Sequence, residues 1–152
     1  MAYYTKVLQA GENVRYIGRL HWLIYRHAIV VGSLILVAAF VTLNQPSVQG
    51  LETPILLFVV ASSLLLFFRP WFHRATTEIV VTDKRIIHKT GWIGRRTQEM
   101  NMTKVETVDV NQGIIGRIFG FGDVQIVGTG ASWEPLRFVA SPLELRNAIM
   151  VG

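Results

Sequence analysis

The sequence contains no cysteine among its 152 residues. Such a chain forms no disulfide and offers no thiolate as a metal ligand or nucleophile, which fits a reducing compartment. The histidines, His21, His27, His73 and His88, lack the spacings of a metal site, and no G-x-S-x-G motif occurs. We therefore expect no catalytic, metal or cofactor site and predict that the protein is not an enzyme.

Charge is scarce in the first half of the chain, where Glu52 is the single charged residue between positions 28 and 68. Two apolar runs fill this region, Leu23–Leu43 and Pro54–Phe68, joined by the turn segment 44–53. At ~1.5 Å per residue the first run reaches ~30 Å, the thickness of a bilayer's hydrocarbon core, and the second ~22 Å. We predict a transmembrane helical hairpin.

Positive charge flanks this hairpin on one side. The turn segment carries no Lys or Arg. Basic residues lie instead at the start of the first run (Arg19, Arg26) and after the end of the second (Arg69, Arg74). The positive-inside rule then places both termini in the cytoplasm, as in a multi-pass membrane protein. Topology and attraction to anionic lipid account for the net charge of +5, so we expect membrane lipids and no nucleic acid as partners.

Two sets of side chains in the hairpin invite a role. Aromatic and basic residues near the cytoplasmic interface are predicted to anchor it: Trp22, Tyr25, Arg26, Arg69, Trp71 and Arg74. Small residues are predicted to allow close helix packing, within the hairpin or between copies: Gly32, Ser33, Ala39, Ser62 and Ser63. Neither run contains an acidic residue, which disfavours a proton or cation pathway.

Residues 73–152 change to short β-type runs ending in a helix over Ser141–Met150. About six strands at regular spacing predict a small antiparallel barrel or pair of sheets plugged by that helix. Ser141 is the expected side-chain N-cap. We therefore divide the chain into a cytoplasmic lead-in (1–22), the hairpin (23–72, with helices at about 23–43 and 52–70, the second stopped by Pro70) and a β domain (73–152).

Several motifs make the chain similar to the bacterial pleckstrin-homology-like (PH-like) domains of membrane-flanked type. They are the G-E-x-V lead (Gly11–Val14), the pair His21-Trp22, the T-D-x-R turn (Thr82–Arg85) and the glycine-rich segment Gly113–Gly122. The resemblance covers nearly the whole chain. It implies a PH-like pair of sheets with a carboxy-terminal helix, a bacterial inner-membrane location, no reaction, and assembly with further copies or other membrane proteins.

The glycine-rich segment Gly113–Gly122 has an alternative explanation as a nucleotide loop. Its order, G-x-x-G-x-x-x-G-x-G followed by a strand, differs from the dinucleotide fingerprint, which opens a long helix. We predict a short helical turn and tight bend instead. Its apolar residues, Ile114, Ile115, Ile118, Phe119 and Phe121, either cap the barrel or dip into lipid.

Basic residues cluster in sequence around the first hairpin of the β domain: Lys84, Arg85, Lys89, Arg95 and Arg96. In eukaryotic PH domains basic residues on the corresponding hairpin grip an inositol phosphate, and Arg and Lys suit phosphate oxygens. The alternative is a solvated strand face, since Asp83 and Glu99 interleave with the set. We predict a self-assembling, membrane-anchored scaffold or interaction module that contacts anionic head groups; the competing hypothesis is a subunit of an oligomeric channel or transporter.

Overall fold

The computed structural model describes residues 8–9, 11–91, 94 and 96–151. The chain divides into two compact units. The hairpin unit comprises Trp22–Ala75, and the domain unit combines Met1–His21 with Thr76–Gly152. The helical unit is therefore inserted into the β unit in sequence.

The hairpin unit consists of helices joined by a short turn. A 3₁₀ turn, Trp22–Tyr25, leads into helix α1, Arg26–Leu43, and a second one, Pro46–Val48, precedes helix α2, Glu52–Thr76. Both helical stretches are long and apolar enough to cross a membrane. Their composition agrees with the predicted spans, because a continuous apolar run of this length is typical of a lipid-facing helix.

Helix α2 continues through Pro70, so the prediction that Pro70 stops it near residue 70 is wrong. Proline removes one backbone hydrogen bond and crowds the preceding turn, which usually ends or kinks a helix in water. Only one backbone hydrogen bond is lost at a proline, and the six residues after Pro70 extend α2 to Thr76.

The first sheet of the domain unit takes its edge strand from the amino-terminal segment. Strands β1 (Val14–Gly18), β2 (Glu78–Thr82), β3 (Arg85–Thr90) and β4 (Arg96–Asn101) pair in sequence order, all antiparallel. The predicted lead-in thus supplies β1 to the domain, with Gly18 opposite Ile79. Local pattern does not reveal such a pairing, because the whole hairpin separates the two strands in sequence.

The second sheet carries the glycine-rich segment. Its strands are β5 (Val105–Asn111), β6 (Phe121–Gly128), β7 (Ala131–Ser132) and β8 (Leu136–Ala140), with β6 pairing to all three others. Helix α3, Ile114–Phe119, lies between β5 and β6, which confirms the predicted helical turn. Helix α4, Pro142–Met150, ends the described fold.

The core lies between the two sheets and α4. Ile86 of β3, Val124 and Ile126 of β6, Val139 of β8 and Leu145 of α4 belong to one buried cluster. Along β6, buried and half-buried positions alternate without exception, as expected of a strand with one face in a core. This arrangement of two antiparallel sheets closed by a carboxy-terminal helix is the predicted PH-like fold.

Helix α4 begins differently from the prediction. Ser141 has φ +50° and its side chain makes no capping hydrogen bond. Its backbone carbonyl accepts the N–H groups of Glu144 and Leu145, and its own N–H donates to the Gly120 carbonyl. The tie to Gly120 holds the backbone in the left-handed region, so the expected side-chain cap is absent.

Candidate interaction surfaces

The strand ladders give the domain two ends. At the exit end the chain leaves through Arg19–His21 and returns at Thr76–Glu78; Leu20 bridges to Val139, and Gly18 pairs with Ile79. At the distal end lie Glu12, the β2–β3 turn Thr82–Arg85 and the segment Asn101–Lys104. Along β6, eight residues at about 3.3 Å each separate such ends by roughly 25 Å.

The basic set predicted for head-group binding is divided between these ends. Lys84 is exposed in the distal turn, while Lys89 lies opposite Glu78 at the exit end. Arg96 is exposed and lies opposite Thr90, next to Lys89 along the ladder. Arg95 lies outside the described residues. Residues that are neighbours in sequence lie at different heights along an extended strand, so the four described residues of the set do not form one patch.

Arg85 is occupied by carboxylates. Its Nε and Nη2 donate to the two oxygens of Glu12, each at 2.9 Å, and Nη1 donates to Glu99 at 2.7 Å. The Glu12 side chain is fully buried and that of Arg85 is 12% exposed. A guanidinium held bidentately in this way ties parts of the fold together, and its donors face carboxylates of this chain.

This ion pair joins two of the sequence motifs. Thr82 Oγ1 donates to Glu12 at 2.8 Å, and Asp83 accepts the Asn13 N–H at 3.0 Å. Hydrogen bonding from the Arg85 side chain is the main cause that lowers the Glu12 pKa from 4.5 to about 2, with further lowering by the Gln9 N–H and Thr82, while burial acts in the opposite direction. The G-E-x-V and T-D-x-R motifs thus form one site. The sequence contains both motifs, but no local pattern pairs residues that lie 73 positions apart.

Helix α3 presents its apolar side chains to the outside. Ile114 is 80% exposed, Ile118 73%, Ile115 60% and Phe119 50%, while Gly116 is buried. Gln112 Nε2 donates to the carbonyls of Gly116 (3.0 Å) and Phe121 (3.1 Å), fixing the helix on β6. The sequence suggested capping the barrel or dipping into lipid for these residues; within the domain they do not cap it.

An aromatic stack of His21, Phe121 and Phe138 lies at the exit end, just after α3 in sequence. Phe121 stacks on His21 (ring centroids 5.3 Å apart) and on Phe138 (5.8 Å). Phe138 has φ +57°, a conformation that non-glycine residues rarely adopt. Its N–H donates to Asp123 at 3.0 Å and its carbonyl accepts the His21 N–H at 2.7 Å. These bonds hold the strained residue and tie the exit segment to β6 and β8.

The predicted membrane-interface anchors share one end of the hairpin unit. Tyr25 stacks on Phe67 at 6.2 Å, the Arg74 guanidinium lies 5.9 Å from the Tyr25 ring, and Phe68 packs on Trp71 at 6.2 Å. Trp22, Arg26 and Arg69 are exposed at the same end, and Arg26 Nε lies 3.3 Å from His27 Nε2. Aromatic side chains here border an apolar groove of about 680 Å³. These contacts form an aromatic and basic belt.

The predicted helix-packing residues differ in their surroundings. Gly32 is buried, and a Cβ on it would lie 3.7 Å from Phe67, so it packs inside the hairpin. Ser33 is exposed and donates to the Ile29 carbonyl at 2.8 Å. Ala39, Ser62 and Ser63 are half-buried, with Ser62 donating to Val59 at 3.0 Å. Gly32 therefore packs within the hairpin, and Ser33 faces outward.

Of three comparisons with known proteins, the one against protein-family profiles gives a match. No curated protein matches the chain, and no solved structure does. Among the described residues, no three His, Asp or Glu side chains come together as metal ligands would. The profile of the family described as bacterial PH domain matches residues 22–150, which spans both helices and most of the domain. PH-like domains are in general non-catalytic interaction modules, and the chain belongs to the bacterial PH domain family.

Proposed function

We propose that this protein is a non-enzymatic scaffold or interaction module of the bacterial inner membrane. The hairpin anchors it as a multi-pass protein with both termini in the cytoplasm. Copies associate through the helices, and the PH-like domain contacts anionic lipid and further membrane proteins.

The observation that carries the proposal is the outward-facing apolar surface of the hairpin unit. Leu34 is 65% exposed, Phe58 71% and Leu65 73%. Soluble monomers rarely expose apolar patches beyond a few hundred Å², and each fully exposed side chain of this size costs about 1.5–3 kcal/mol relative to burial. A hydrocarbon environment removes that cost along both helices.

The distribution of charge supports the orientation. Arg26, Arg69 and Arg74 lie in the aromatic and basic belt, whereas the described turn between the helices carries no Lys or Arg. Lys and Arg beside a span favour the cytoplasmic side. Because the chain enters the domain on either side of the belt in sequence, the domain shares the cytoplasmic side.

Self-association is supported by the small residues that the hairpin does not use. Ser33 is exposed, whereas its neighbour Gly32 packs against Phe67 within the hairpin. A small outward residue lets helices of two copies approach closely in lipid, where association depends on packing.

Contact with anionic lipid is supported at the exit end, where Lys89 and Arg96 lie near the residues that lead into the helices. Each basic residue near an anionic surface contributes about 1 kcal/mol. Lys84, on the distal turn, lies at the opposite end of the first sheet.

Native mass spectrometry of the full chain in nanodiscs tests the scaffold. We expect assemblies of two or more copies, which Ser33→Leu shifts towards monomer because the bulky side chain separates the helices. Val30→Leu, at another exposed position of α1, is the matched control and leaves the distribution unchanged. A strictly monomeric wild-type particle without a retained partner contradicts the scaffold.

A further inference from the structure

Helix α3 departs from the pattern of an ordinary surface helix. Such a helix turns apolar residues towards the core and polar ones towards water. Here the buried residue is Gly116, and the four large apolar side chains of the helix are exposed: Ile114, Ile115, Ile118 and Phe119. The exposed surface therefore needs an occupant outside the domain.

The backbone fixes this orientation. A Cβ on Gly116 would lie 2.5 Å from the Phe121 carbonyl oxygen, so a larger residue does not fit on the inner side. Gly120 ends the helix with φ +72°, which glycine adopts without strain. Together with the hydrogen bonds from Gln112, these contacts prevent α3 from rolling its isoleucines inward.

The position of α3 along the chain points to a bilayer as the occupant. Phe121, two residues after α3, stacks on His21, and Trp22 starts the first apolar stretch. On the return path, α2 ends at Thr76 and β2 begins at Glu78. A domain joined to both spans by so few residues cannot move far from the membrane surface.

The basic side chains near α3 suit anionic head groups, and the carboxylate of Asp123 in the same region is occupied by the Phe138 N–H. Arg117 lies on α3 itself and is exposed. Arg19 and Arg137, which flank the aromatic stack in sequence, are exposed as well. Apolar side chains with basic neighbours are the composition of interfacial membrane-binding segments.

We propose that α3 inserts Ile114, Ile115, Ile118 and Phe119 into the interfacial layer of an anionic bilayer, with Arg117 at the depth of the lipid phosphates. The proposal rests on the anchoring of the hairpin and adds a second, reversible contact that fixes the orientation of the domain on the membrane.

Depth-dependent quenching in nanodiscs containing anionic lipid tests this contact. Because the chain lacks cysteine, Ile118→Cys provides a single thiol for an environment-sensitive fluorophore. Thr103→Cys, exposed at the distal end, is the matched control, and Leu64→Cys reports on the hairpin. Doxyl lipid and aqueous iodide serve as the two quenchers. We expect doxyl lipid to quench the label at 118 several-fold more than that at 103, with a blue-shifted emission.

Three results would overturn the proposal. Quenching at 118 by iodide to the same extent as at 103 would place α3 in water. Shielding of 118 from both quenchers would assign the surface to a protein partner or a second copy. Insensitivity of the quenching to removal of anionic lipid would remove the role of Arg117. The label at 64 separates these failures from a failure of anchoring, since a hairpin outside the bilayer would leave that label open to iodide.

Discussion

The two units of this chain use apolar residues in opposite directions. In the hairpin unit most of the large apolar side chains are exposed, and the few buried positions are Ala28, Gly32 and Val59. In the domain unit Ile86, Leu145 and their neighbours are fully buried. The proposed membrane anchoring accounts for this difference, since it gives the helices lipid and the sheets water as their surroundings. Substitutions of the same kind in the two units should therefore have different costs.

The sharpest contrast is between two leucines. Leu145→Ala should lower the free energy of unfolding of the domain by about 3 kcal/mol, because it leaves a cavity in the core between the sheets and α4. Leu64→Ala, at an exposed position of α2, should leave it unchanged. Amide hydrogen exchange of β6 in the full chain in nanodiscs measures both. Equal protection in the two variants would contradict the contrast.

The ion pair of the distal end gives an effect of similar size. Arg85→Ala leaves the buried Glu12 carboxylate without its bidentate partner, which should cost about 3 kcal/mol. Lys84→Ala, one residue away and exposed, should stay within about 0.5 kcal/mol of wild type. Exchange of the β2 and β3 amides reports the difference. If Arg85→Ala is as stable as Lys84→Ala, the tie between the two motifs is not structural.

Substitutions at two glycines of the α3 segment should differ less in their effect on the free energy of unfolding. Gly116→Ala brings a Cβ against the Phe121 carbonyl and should destabilise the domain by about 1–3 kcal/mol. At Gly113 a Cβ meets no atom within 4 Å and the backbone is extended, so Gly113→Ala should be nearly neutral. Thermal unfolding of the two variants in the same detergent checks this. A neutral Gly116→Ala would mean that α3 is free to roll.

The ion pair also predicts a dependence of stability on acid. The Glu12 pKa is lowered to about 2 in the folded domain, so unfolding raises it towards 4.5 and the unfolded chain binds the proton more tightly. The stabilisation is therefore complete above about pH 4.5 and is lost as the pH falls towards 2. Chemical unfolding at about pH 6, 4 and 3 should show this loss in wild type and a flatter profile in Glu12→Gln. Identical profiles would assign the acid sensitivity to other groups.

Local patterns in the sequence predicted much of the fold. Continuous apolar runs predicted the helices, and β-branched alternation predicted the strands of the domain. The segment Ser141–Met150 predicted the closing helix, which begins at Pro142 after Ser141 but lacks the expected side-chain cap. The glycine spacing predicted α3 as a short helical turn. These features depend on neighbours in sequence, which is why composition and periodicity suffice.

Features that depend on distant pairing were missed. The sequence does not reveal that Val14–Gly18 joins β2 across the whole hairpin, or that Glu12 neutralises Arg85. The pairing of β2, β3 and β4 also places Lys84 at one end of the sheet and Lys89 and Arg96 at the other. The sequence had suggested one group because these residues are close along the chain. The continuation of α2 through Pro70 was not predicted, because a proline usually ends or kinks a helix.

The central claim is that the outward apolar surface of the hairpin is covered by lipid. Single cysteines at Leu36, Leu64, the turn residue Ser47 and the domain residue Thr103, all exposed in the structure, can be probed with a membrane-impermeant maleimide in intact and inverted vesicles. We predict that Ser47→Cys reacts only from the periplasmic side and Thr103→Cys only from the cytoplasmic side, with Leu36→Cys and Leu64→Cys unreactive until detergent is added. Rapid labelling of positions 36 and 64 in intact membranes would contradict the claim.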